Sequence, residues 1–206
     1  MITNENSTLV TLSVKYWSGY KHDKMASLQT IEDNRMETGS GKFNKKLLPK
    51  FALKPIKDVI TRFKFFFNEN TLPYNALLGT RILPTDGFFD FNKQVSVAEA
   101  ALSKAVAEFE KEYEISKQQA QRMLGDLYDP TDYPPIEKLR SKFAIRVDYF
   151  PVPEADRFNS NITNTQVKRL NEQIASMSME AKFDLIYRVE KVALALLSTL
   201  QNGKKR

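Results

Sequence analysis

Glycine, serine, glycine and lysine stand together at residues 39–42, inside the stretch ETGSGKFNKK. A phosphate-cradling loop needs Gly-x-x-x-x-Gly-Lys-Ser/Thr between a strand and a helix. Its amides hold the phosphate, its lysine neutralises it, and its hydroxyl takes magnesium. Gly41-Lys42 supplies the end of that pattern. Met36 stands where the first glycine belongs, Phe43 where the hydroxyl belongs, and EDNRMET at 32–38 is no buried strand. The stretch reads as a flexible basic loop. Asp126, Asp129 and Asp132 are three carboxylates at a spacing that could gather round a hard cation. They sit in GDLYDPTDYPP, where aspartate beside glycine and proline is ordinary turn chemistry, and the turn is the stronger reading. His22, beside Asp23, has the type for a general base, but no nucleophile or second motif accompanies it.

The chain holds no cysteine and one histidine. Disulfides, thiolate nucleophiles, cysteine zinc sites and multi-histidine metal sites are thereby excluded. No catalytic residue, cofactor or metal site is assigned, and the expectation is a protein that is not an enzyme. The competing enzymatic reading would need a pocket gathering distant carboxylates, such as Asp23 with Asp126 or Asp148.

The densest chemistry is cationic. Lys42, Lys45, Lys46, Lys50, Lys54, Lys57, Arg62 and Lys64 follow one another, interleaved by Phe43, Phe51 and Phe65. Cations that track phosphates beside rings that stack on bases is how single strands are held. The eight basic residues are the expected nucleic-acid contacts. The plainer alternative is a solvated helix face, with Phe63, Phe66 and Phe67 in the core. Net charge is +6, and residues 36–70 carry eight Lys/Arg against three Asp/Glu. Residues 161–206 carry eight against four, and 93–129 five against seven. That asymmetry fits contact with a polyanion. Trp17 and Tyr20, around Ser18-Gly19, put large rings at a strand end and are expected to anchor a partner; packing in the core or at a sheet edge is the alternative.

These residues need elements to position them. LVTLSVKYW at 9–17 alternates with a period of two and predicts a strand. Residues 22–33 suit a short helix, and 34–46 read as a loop. Pro55 suits a first helical turn, and Ile56, Val59, Ile60, Phe63, Phe66 and Phe67 follow at helical spacing to Pro73. ALLGTRIL at 76–83 predicts a second strand, with Gly79 as a bulge or close approach. A long stripe from about residue 95 to 127 predicts one helix, or two broken near Ser116-Lys117. Residues 136–142 suit a short helix and FAIRVDYF at 143–150 a third strand. Val167 to Leu200 predict a final long helix, capped by Thr163, Asn164 or Thr165. The expected architecture is α+β: a small sheet of about three strands packed with two long amphipathic helices and shorter ones. A single domain over 1–206 is expected, with a helical subdomain pairing 93–129 with 163–202. The long stripes also suit self-association into a homo-oligomer.

No run approaches the ~20 apolar residues of a membrane span. MITNENSTLV lacks the charged and apolar regions of a secretory signal. A cytoplasmic protein without membrane contact is expected.

Several segments together resemble a family of uncharacterised proteins of phages, conjugative elements and proteobacteria. The segments are Trp17-Ser18-Gly19 at the strand end, GSGKFNKKLLPKF at 39–51, LLGTRILP at 77–84 followed by an acidic helix ending EFEKEY, and YPPIEKLRSKFAIRVDYFPVP at 133–153. Tyr20-Lys21 departs from the Arg-Lys pair that follows WSG in the family. The resemblance implies a phage or mobile-element setting in a bacterial host cell, near AAA+ ATPase, von Willebrand-like and recombination genes. It carries no active-site residue. The expected function is that of an accessory protein which binds nucleic acid or a nucleic-acid-processing complex. The alternative is a protein-interaction module without nucleic-acid contact: an inhibitor of a host defence complex, an ATPase adaptor or an assembly subunit.

Overall fold

A computed structural model describes residues 6–153 and 164–203. The fold is α+β, as the mixed periods predict. Its elements run β1 (Ser7–Lys15), β2 (Tyr20–Asp23), α1 (Lys24–Asp33), β3 (Phe43–Lys46), α2 (Lys54–Glu69), β4 (Leu72–Asn75), β5 (Thr80–Pro84), α3 (Phe88–Leu124), β6 (Ala144–Phe150) and α4 (Asn164–Gly203).

The sheet is larger than the sequence pattern predicts. Four strands align in the order β4-β5-β1-β6, and β2 pairs with β3 in a separate antiparallel ribbon. β2 (YKHD) and β3 (FNKK) are too short and polar for alternation to mark them. The loop expected over 34–46 therefore ends at Lys42. β4 (LPYN) contains Pro73, which an edge strand tolerates because the N–H that proline lacks can be one that would face away from the ladder. Gly79 is no bulge: it turns β4 into β5 with φ +64°, its amide donating to the Ala76 carbonyl at 3.3 Å.

α3 starts at Phe88 and runs unbroken past Ser116-Lys117. Phe91, Val95, Ala98 and Leu102 extend its buried stripe toward the N-terminus. Ser116, buried at 4% exposure, continues the stripe between Tyr113 and Ala120. One hydroxyl on an otherwise apolar face made the pattern look interrupted. Residues 136–142 form two short 3-10 turns rather than an α-helix.

The chain forms two compact units. One takes Met1–Leu12, Phe65–Gln94 and Val147–Arg206; the other takes Ser13–Lys64 and Val95–Arg146. The two segments expected to pair as a helical subdomain, 93–129 and 163–202, thus belong largely to different units. The first unit has a core of Leu9, Tyr74, Ile82, Val152 and Ala181, with Leu72 and Met177 packed on it. There Arg81 and Arg188 close the end of α2, donating to the Asn68 and Thr71 carbonyls, and Arg188 also to that of Glu69. Cations at a helix C-terminus oppose the negative end of its dipole. In the second unit Phe109 meets Tyr113 and Phe143 edge-on, and Tyr113 lies edge-on to Trp17. The Tyr113 hydroxyl donates to the Pro134 carbonyl at 2.8 Å.

Candidate nucleic-acid interface

Within the second unit, β1 gives way to Tyr16-Trp17-Ser18-Gly19 and the chain enters the β2–β3 ribbon. Gly19 has φ +69°, and its carbonyl accepts the Leu47 amide at 2.7 Å, which closes the open end of the ribbon. A side chain there would meet Leu53 Cδ1 at 3.1 Å. Glycine is required by both the backbone angle and the close approach.

The ribbon register is Tyr20↔Lys46, Lys21↔Lys45, His22↔Asn44 and Asp23↔Phe43. Side chains on a strand alternate between faces, so the neighbours Lys45 and Lys46 point to opposite sides. Lys45 turns inward and is 6% exposed. Its ammonium lies 2.6 Å from Asp132 Oδ2, 3.1 Å from Asp23 Oδ2 and 3.0 Å from the Leu127 carbonyl. Lys21, directly opposite, also pairs with Asp132. Two like charges across a strand pair repel; the buried Asp132 carboxylate, held between them, offsets that repulsion. Burial alone would lower the Lys45 pKa, but the bonds and attraction from Asp132 and Asp23 outweigh it and hold it above its ordinary value. Asp23 is held below its ordinary value by the Ala26 amide, which it caps at 3.0 Å, and by Lys45.

Lys45 is therefore no phosphate contact: its ammonium is spent on ordering the Pro130–Asp132 turn against the ribbon. Trp17 is likewise a packing residue, half-buried against Tyr113, and not an exposed anchor. The aspartates expected in turns stay there. Asp129 accepts from the amide and hydroxyl of Thr131, both at 2.8 Å, and Asp132 serves the lysines. Exposed His22 places Nδ1 3.2 Å from the Phe43 carbonyl.

The outward face of the ribbon carries Tyr20 and Lys46, and it borders a cleft of about 360 Å³. Leu48, Pro49 and Leu53 form its apolar floor together with Gly19. The chain then turns at 49–53, where the Ala52 amide donates to Pro49 and the Lys54 amide to Phe51, both at 3.1 Å. That turn brings Lys50, and then Lys54 and Lys57 on the first turns of α2, to the same cleft. Tyr16 and Ser18 complete the wall.

Four of the eight basic residues expected to contact nucleic acid thus converge: Lys46, Lys50, Lys54 and Lys57. Tyr20, 56% exposed, joins them. One carboxylate intrudes, Asp58, which pairs with Lys54 at 2.5 Å. Among the described residues, no ion pair or hydrogen bond engages the ammonium groups of Lys46, Lys50 and Lys57. No acidic residue stands in the first turn of α2, so the helix dipole adds to the positive potential at this end. Lys42, Arg62 and Lys64 are exposed but do not line the cleft. The interleaving Phe43, Phe51 and Phe65 are exposed at 37%, 61% and 68%; of the three phenylalanines expected in the core, Phe63 and Phe67 are buried and Phe66 is half-buried. The register signal that separates Lys45 from Lys46 lay in a ribbon whose strands carry no apolar alternation.

Comparison of the chain with protein-family models, with curated proteins and with solved structures gave no match.

Proposed function

We propose that this chain is a binding protein, not an enzyme, whose cleft holds a single-stranded nucleic acid, in the phage or mobile-element setting that the resemblance implies. The observation that carries the reading is the convergence of Lys46, Lys50, Lys54 and Lys57 with the exposed Tyr20 ring around one apolar-floored cleft. Phosphates would take the ammonium groups, and a base released from pairing would lie against Tyr20. A duplex keeps its bases stacked inside and offers only its backbone to such a site. Stacking on an aromatic contributes about 1–3 kcal/mol per base, and each neutralised phosphate releases counterions.

Fluorescence anisotropy with labelled single-stranded and duplex oligonucleotides, titrated at several salt concentrations, tests this. The expected result is tighter binding of the single strand and a slope of log K against log[salt] of roughly −2 to −3, from three or four phosphates at about −0.7 each. Absence of binding at low salt, or binding without a salt slope, would refute it. A duplex preference would leave the cations in play and remove Tyr20 from the account.

A second reading, the protein-interaction module, draws on a different observation: the apolar exposure of the end of α4.

A further inference from the structure

α4 is anchored along part of its length only. It packs on β4, with Met177 and Ala181 against the core of the first unit. Among the described residues, Arg188 is the last of α4 to be tethered to another element, hydrogen-bonded to the carbonyls at the end of α2 and paired with Asp184 at 2.7 Å. From there every residue over 189–201 is exposed, although the helix continues to Gly203.

An exposed helix of this length is marginal in water even when rich in alanine. This one is rich in leucine and valine instead. Ten large apolar side chains between Phe183 and Leu200 are 48% to 66% exposed. Ile186, Val189, Ala193, Leu196 and Leu200 recur at three- and four-residue steps, the spacing of a helix–helix seam. The seam lies beyond the part of α4 that docks on β4, and its side chains are left exposed there. Leu185, Val192 and Leu197 flank it where a simple pair of helices carries charges. The uncharged run Val192–Leu200 is too short to span a membrane, and no described helix is long and apolar enough to do so.

We infer that residues 185–200 of α4 form a self-association interface, covered by the same segment of a second copy of this chain. The area argues for it. The seven large side chains of the seam and its flanks, with roughly 100 Å² each in water, present about 700 Å², close to the about 800 Å² per partner of a stable interface. Apolar flanks broaden the seam and favour a bundle over a bare pair. The inference does not depend on the cleft, which lies in the other unit.

Sedimentation equilibrium and light scattering of the full chain, from low to high micromolar, test it. The expected wild-type result is one discrete mass at twice the chain mass or a higher whole multiple. Val189→Glu with Leu196→Glu is expected to give a monomer that keeps its circular dichroism outside the loss of α4 end helix. Lys191→Glu, on the polar face, should stay associated. Because the chain has no cysteine, Leu196→Cys adds a second reading: an inter-chain disulfide on mild oxidation, absent for Lys191→Cys. A wild-type monomer across the range overturns the inference, whether it stays alone, binds anionic vesicles or takes a different protein onto α4. Polydisperse growth without a whole-number mass, or association unchanged by the glutamate pair, overturns it as well.

Discussion

Lys45 and Lys46 are adjacent, identical in type and opposite in use. Strand alternation sends one into a buried ion cluster and the other to the rim of a cleft. Sequence alone could find the basic run but not divide it, because the division depends on a strand pairing that no apolar pattern announces. The cluster makes two predictions. Removing one partner of a buried ion pair leaves the other charge uncompensated at about 3–5 kcal/mol. Asp132→Asn, at a side chain 1% exposed, is expected to lower the urea unfolding free energy by less than that, because Lys45 keeps Asp23 and the Leu127 carbonyl. The second concerns pH. Lys45 is held above its ordinary 10.5; burial pushes the Tyr133 phenol from 10.0 to about 12, and that of Tyr113 further. All three bind their protons more tightly folded than unfolded. Their contribution is whole below about pH 10 and is lost as pH rises through the folded values. Asp23 is lowered, so its contribution is whole above its ordinary 3.8 and is lost as pH falls through the folded value. Urea midpoints measured against pH should therefore hold steady through neutrality and fall beyond about pH 10, and Lys45→Met should shallow that alkaline limb.

At the scale of elements, the legible parts were those with a strong period: β1, α2, β6 and the two long helices. The β2–β3 ribbon was missed because its strands are short and polar, and are held by pairing and by the Lys45 cluster, not by a buried face. β4 was missed because Pro73 reads as a stop, although an edge strand accepts it. The ribbon's closure depends on Gly19. Gly19→Ala imposes a left-handed backbone on an L side chain, at about 1–2 kcal/mol, and drives its Cβ toward Leu53 in the floor of the cleft. The expected outcome is a loss of about that size in denaturant unfolding, together with weaker oligonucleotide binding. Gly39→Ala, at φ +89° with no atom within 4 Å, should cost stability alone and leave binding intact.

At the largest scale, the second unit brings Lys46, Lys50, Lys54 and Lys57 round one cleft with an exposed aromatic ring and an apolar floor. The sequence showed the charge; only the fold shows that residues 46, 50, 54 and 57 share a cleft with Tyr20 while 42, 62 and 64 do not. The central claim is that the cleft, and not basic charge in general, does the binding. The contrast between adjacent lysines tests it most directly: anisotropy titration of single-stranded DNA by wild type, Lys46→Gln and Lys45→Met across a salt series. The account predicts that Lys46→Gln weakens binding and shallows the salt slope by about 0.7. It predicts that Lys45→Met, once shown to be folded, keeps the wild-type slope despite removing the same charge. Equal losses from both variants, or none from Lys46→Gln, would contradict it.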